Sequence, residues 1–158
     1  MLDVMISMPK PTEAHHRLKA FEGDWEGEEK LYPTSWGKGG TAIGRSRSRL
    51  DMEGFFLLQD YVQEKDGKIV FRGHGVLGWE PDTNSYVWFW VDSMGFVPKE
   101  PARGRWENDT LVLQNSNPHG LSRYTFRFPA DGVEEFKIEG SSDGSTWKPF
   151  IEATYRRK

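Results

Sequence analysis

From Trp25 almost to the C-terminus, turn-forming segments interrupt the chain at short, regular intervals, and that punctuation leaves room for short strands and little else. The segments are Pro33 to Gly40, Asp66-Gly67, Pro81-Asp82-Thr83-Asn84, Glu107-Asn108-Asp109, Asn117-Pro118-His119-Gly120, Asp131-Gly132 and Asp143-Gly144. Between them, runs rich in aromatic and β-branched residues alternate with period two. They predict strands near 25–32, 41–52, 55–64, 68–79, 85–93, 102–107, 110–116, 121–128, 133–141 and 146–156. Upstream, Pro11-Thr12-Glu13 followed by Ala14, Leu18 and Phe21 has a capped start and apolar residues at i, i+4 and i+7, so a short amphipathic helix is expected, ended by Gly23. Hairpin turns make neighbouring strands antiparallel, and no second helix is available to carry a parallel crossover. Closing such a meander on itself removes its exposed edges. The expected fold is therefore all-β, a single antiparallel up-and-down β-barrel of about ten strands with a short N-terminal helix; a two-sheet sandwich is the alternative.

A chain of 158 residues suits one domain and can bury a core without disulfide or metal staples. It is divided here into a flexible N-terminal segment, 1–10, and a single barrel domain, 11–158. Seven Trp, five Tyr and ten Phe in a chain only 36% hydrophobic mean that bulky rings supply much of the core. A net charge of −3 with both signs interspersed provides no field to attract nucleic acid or an anionic membrane. The absence of cysteine excludes thiolate chemistry and fits a reducing compartment. The opening residues, Met1 to Pro9, lack a basic n-region and a long apolar stretch, and no apolar run approaches the roughly 20 residues of a membrane span, so a cytoplasmic location is expected.

Gly23-Asp24-Trp25 after a short helix resembles the Gly-x-Trp opening of the lipocalin and calycin barrels, in which the Trp closes one barrel end and a basic residue of the last strand, here Arg156 or Arg157, covers it. More specific matches follow in order: Trp25-Glu26-Gly27-Glu28, Glu53 to Tyr61, Gly73-His74-Gly75-Val76-Leu77-Gly78-Trp79, Tyr86 to Gly95, and Asp143-Gly144-Ser145-Thr146-Trp147. With these segments the chain, from residue 12 to its end, resembles the bacterial domain of unknown function 1579 family, a calycin-like group. The resemblance implies a barrel with an interior cavity and transfers no catalytic residue. Phe55 stands where the family pattern Gly-Gly-Arg-Phe has Arg, which implies a ligand less anionic than one that such an Arg would bind.

Other patterns are weighed against plainer readings. Gly73-x-Gly75-x-x-Gly78 matches a dinucleotide fingerprint as text, but Trp79-Glu80-Pro81-Asp82 leads into another strand where that fingerprint needs a helix. Gly73 and Gly75 more simply allow coiling or leave room for a facing ring. Arg45, Arg47 and Arg49 share one strand face, which is expected to be solvated, with Ser46 and Ser48 turned inward. The histidines, His15, His16, His74 and His119, have no metal-site spacing, so no metal site is expected. Nitrobindin, a related barrel, holds haem iron through a histidine, and His74, in mid-strand, is the candidate for such a role here. No nucleophile elbow supports a hydrolase.

The strongest constellation is Tyr86, Trp88, Trp90 and Asp92 on one face of a strand, with Val87, Phe89, Val91 and Ser93 on the other. Both faces are largely apolar, so the outer one needs a cover, either the Ala14/Leu18/Phe21 helix face or a second subunit in a homodimer. The Trp90 face is assigned to the lumen, with Asp92 fixing a polar ligand group or paired by Arg103 or Arg105. Gln59 and Tyr61 share a face of the 55–64 strand and are candidates for the same lumen set. Trp36, in the flexible Ser35 to Gly40 loop, is a candidate lid residue. The expected ligand-binding residues are thus Trp88, Trp90, Asp92, Gln59, Tyr61 and His74. The expected role is binding of a small apolar or aromatic molecule. The alternatives are an enzyme, either an isomerase or a haem-dependent catalyst, and an interaction domain with a filled barrel.

Overall fold

A computed structural model describes residues 7–158. Residues 1–6, most of the segment expected to be flexible, lie outside the described residues. The strands are β1 (Gly23–Leu31), β2 (Gly40–Asp51), β3 (Phe56–Lys65), β4 (Lys68–Glu80), β5 (Ser85–Asp92), β6 (Ala102–Glu107), β7 (Thr110–Asn117), β8 (Gly120–Ala130), β9 (Val133–Ser141) and β10 (Lys148–Arg157). Each pairs antiparallel with its sequence neighbours, and β1 pairs with β10, so the ten strands form a closed up-and-down barrel. The turn chemistry explains the register. In the β3–β4 hairpin, Asp66 and Gly67 both take positive φ, 52° and 76°, as a two-residue turn matched to strand twist requires.

The helix α1 (Glu13–His16) tightens into a 3₁₀ turn, Arg17–Phe21, and together they plug the barrel end at which β1 begins. Leu18 and Phe21 are fully buried there. The Phe21 ring meets Phe128, Phe126 and Trp106 edge-on at centroid distances of 4.8, 5.3 and 5.8 Å. Trp25 donates its indole N–H to the Phe21 carbonyl at 2.8 Å, and the guanidinium of Arg157 lies 4.7 Å from the Trp25 ring centre. Arg157, rather than Arg156, is therefore the cover, and its donors to the carbonyls of Glu22 and Ala20 tie the plug to the last strand.

The dry core lies toward this plugged end, where Leu57, Leu77, Tyr86, Leu111, Leu113 and Phe126 pack with Leu18 and Phe21. Outside, Arg45 pairs with Glu26 and Glu64, Arg47 with Asp24, and Arg49 with Asp51 and Asp60. The arginine row is thus on the outer face, with Ser46 and Ser48 turned inward toward the lumen. β5 and β6 pair through only three residue couples, Tyr86–Gly104, Val87–Arg103 and Trp88–Ala102, and beyond Trp88 the two strands separate.

Candidate functional site

Adjoining the dry core, which shares Trp88 and Phe126 with it, the inward faces of β2, β3, β4, β5, β8, β9 and β10 line a cavity of about 340 Å³. Period-two alternation places Gln59, Tyr61 and Gln63 of β3 in its wall, opposite Trp88, Trp90 and Asp92 of β5. Gly73 and Gly75 of β4 lie beneath the tryptophans. A Cβ at Gly75 would stand 2.7 Å from Trp88 Nε1 and 2.8 Å from Gln59 Oε1, and one at Gly73 would run into the Trp90 ring. Small residues are needed there so that two indoles can lie flat inside a narrow barrel.

Each indole N–H is satisfied within the wall. Trp88 donates to Gln59 Oε1 at 2.8 Å, and Trp90 donates to Asp92 Oδ2 at 2.9 Å. The backbone N–H of Met94 donates to Asp92 Oδ1 at 3.0 Å. With their polar atoms occupied, the tryptophans offer the cavity ring surface. The expectation that Arg103 or Arg105 pairs Asp92 is corrected by this geometry: Arg103 points outward and pairs with Glu80, and the strands have already separated at the level of Asp92.

His74 also requires correction. It stands between Gly73 and Gly75, so the alternation that turns the glycines inward turns its ring outward, where Nδ1 lies 2.7 Å from Asp60 Oδ1. No histidine lines the cavity among the described residues. The lumen therefore does not fit a histidine-ligated haem.

Two carboxylates went unrecognised as interior groups. Glu29 of β1, 0% exposed, accepts hydrogen bonds from the Tyr61 hydroxyl at 2.8 and 2.6 Å, from Gln63 Nε2 at 2.9 Å and from the Tyr155 hydroxyl. Burial, reinforced by the Glu29 charge, pushes both tyrosine hydroxyls well above their ordinary range, so they stay protonated as donors. Glu134 of β9, only 8% exposed, lines the cavity beside Tyr155, its cross-strand partner. Among the described residues it has no hydrogen-bond or charge partner, and burial alone pushes its carboxyl from 4.5 up to about 8. Glu29 shares the strand face of Trp25, and Glu134 that of Phe136 and Ile138, so alternation from those apolar residues was the available signal.

This burial predicts a specific pH dependence. Below pH 4.5 the carboxyl is protonated in both states and adds no penalty, whereas between 4.5 and about 8 only the unfolded chain ionises and stability falls as pH rises. Tyr155 faces the group directly, with Glu29 and Tyr61 behind it and Asp92 on β5. Glu134→Gln is expected to match the parent stability near about pH 5 and to exceed it by a few kcal/mol near about pH 9, as read by urea unfolding at both values. Equal stabilities at the higher pH would contradict the buried, unpartnered carboxyl.

At the barrel end opposite the helix, the Trp36 side chain is 82% exposed and is not seated on the cavity. On the outer face, Phe89 and Val91 are 53% and 51% exposed. The helix plugs the barrel end instead of covering this face, where Val87 is buried and Phe89 and Val91 are open. No described helix is long and apolar enough to cross a membrane.

Comparison with known proteins agrees with the architecture. The M. tuberculosis protein Rv2717c superposes with a TM-score of 0.67 at 13% identity, over 93% of this chain and 98% of that one. The S-type phycobiliprotein lyase CPES from Guillardia theta superposes with a TM-score of 0.68 at 8% identity, over 93% of each chain. At such identities the likeness concerns the fold alone. No curated protein matches the sequence. The family model described as "Protein of unknown function (DUF1579)" matches residues 10–157, nearly the whole chain, and the protein belongs to that family.

Proposed function

We propose that the barrel binds a small apolar or aromatic molecule in its lumen, with the ring faces of Trp88 and Trp90 as the main contact surface, Gln59 and Tyr61 supplying polar orientation, and Asp92 fixing the Trp90 ring. The observation that carries this reading is the cavity itself. Its volume, about 340 Å³, lies within the roughly 300–1,000 Å³ of small-molecule sites, toward the lower end, and aromatic rings make up half of its lining, with serine, glutamine and acidic side chains between them. A barrel serving only as an interaction scaffold would fill that space with its own side chains.

Titration of intrinsic Trp fluorescence against a library of neutral aromatic and apolar metabolites tests the proposal. A ligand in the lumen is expected to perturb the emission, because two of the chain's seven tryptophans line the cavity. Trp90→Ala should weaken its binding about tenfold through lost ring contact. If that variant leaves every detected affinity unchanged, the Trp90 face is not the binding surface.

A further inference from the structure

The charge inventory of the cavity is one-sided. Among the described residues its lining includes the carboxyl groups of Asp92 and Glu134 and no Lys, Arg or His. The acids also differ in what they have left to offer. Both Asp92 oxygens accept hydrogen bonds from Trp90 and Met94, and Glu29, behind the wall, is held by Tyr61, Gln63 and Tyr155. Glu134 is more than nine-tenths buried, faces the cavity and has no partner among the described residues. Its carboxyl oxygens open onto the cavity and can take a donor from whatever occupies it.

We propose that the lumen is a site for an organic ammonium ion, whose charged nitrogen rests on the Glu134 carboxylate and whose hydrocarbon body lies against Trp88, Trp90 and Phe136. This inference rests on the lumen-binding reading above and adds the ligand's charge to it. An ammonium group supplies the hydrogen-bond donors and the positive charge that Glu134 lacks, and indole faces attract cations in a desolvated setting. A carboxylate or phosphate ligand would instead be buried beside two acids with no cation to receive it. Because the free Glu134 carboxyl holds its proton up to about pH 8, uptake of the cation near neutrality releases that proton, and affinity rises with pH toward that value. Tyr155, Tyr61, Tyr124 and Asp92 are the other ionisable groups of the lining, with Glu29 behind Tyr155.

Calorimetric titration with three near-isosteres provides the test: 2-phenylethylamine, the neutral 2-phenylethanol and the anionic 3-phenylpropanoate. The amine is expected to bind at least tenfold more tightly than the alcohol, with the propanoate showing no binding. The heat of amine binding should vary with buffer ionisation enthalpy, reporting the released proton. Glu134→Gln, close in shape and freed of a buried acid, should bring amine affinity down to that of the alcohol while leaving alcohol binding in place. Equal binding of amine and alcohol to the parent protein would overturn the inference. A variant that keeps its preference for the amine would overturn the role of Glu134. If none of the three binds while neutral library compounds do, the cation inference falls alone; if neither set binds, the lumen-binding reading falls with it.

Discussion

Replacing Phe21 with alanine is expected to destabilise the protein by about 3–5 kcal/mol, one of the two largest losses from a single substitution argued for this fold. The ring is 1% exposed and is held edge-on by Phe128, Phe126 and Trp106, so its removal leaves a void between the plug and the β6 and β8 walls. Relaxation into that void is limited. The segment is anchored on one side by Arg157 through the Ala20 and Glu22 carbonyls and on the other by Trp25 through the Phe21 carbonyl. The measurement is the urea unfolding midpoint of Phe21→Ala at unchanged m-value. A loss below about 1 kcal/mol would mean that the plug frays independently and is not part of the cooperative unit.

The second large effect belongs to Glu29. Glu29→Ala is expected to cost roughly 2–5 kcal/mol, because it leaves two tyrosine hydroxyls and the Gln63 amide without their buried acceptor. Glu29→Gln, which keeps one acceptor oxygen, should cost less. A double-mutant cycle separates the network from simple packing: Tyr155→Phe should be markedly destabilising in the parent and nearly neutral once Glu29 is alanine. Additive losses would show that the tyrosine hydroxyl gains nothing from the carboxylate. The position is demanding sterically as well, since a Cβ at Gly44 would collide with the Glu29 carboxylate and stand 2.9 Å from the Tyr155 ring.

The strands and turns were legible because each depends on local chemistry. Asp66-Gly67 marks its own hairpin, and the alternation of Tyr86, Trp88, Trp90 and Asp92 shows its own face. The helix was legible from Ala14, Leu18 and Phe21, although its second half tightens to a 3₁₀ turn as it folds over the barrel end. Inside-outside assignment was harder wherever charged residues stand on the inner face. Glu29 follows Glu26 and Glu28, and Glu134 precedes Glu135, so each reads as part of a solvated edge unless its parity with Trp25 or Phe136 is followed. His74 fails for the converse reason. Mid-strand position suggested the lumen, but the glycines flanking it had already taken the inner face to make room for Trp88 and Trp90. The loss of a partner for Asp92 could not be foreseen, because it depends on where β5 and β6 part, a property of the ring and not of either strand.

The pairing of β1 with β10 has a consequence for how the protein is made. Trp25 sits opposite Arg157, so β10 must be made before the first strand finds its second neighbour. Until then β1 has only β2 beside it, and the Glu29 carboxylate lacks Tyr155, the donor that comes from the last strand. The nascent chain can form its hairpins in order but cannot seal its interior, and its open edge is exposed to neighbouring chains throughout. Pairing of β10 with β1 thus completes both the ring and the buried network around Glu29.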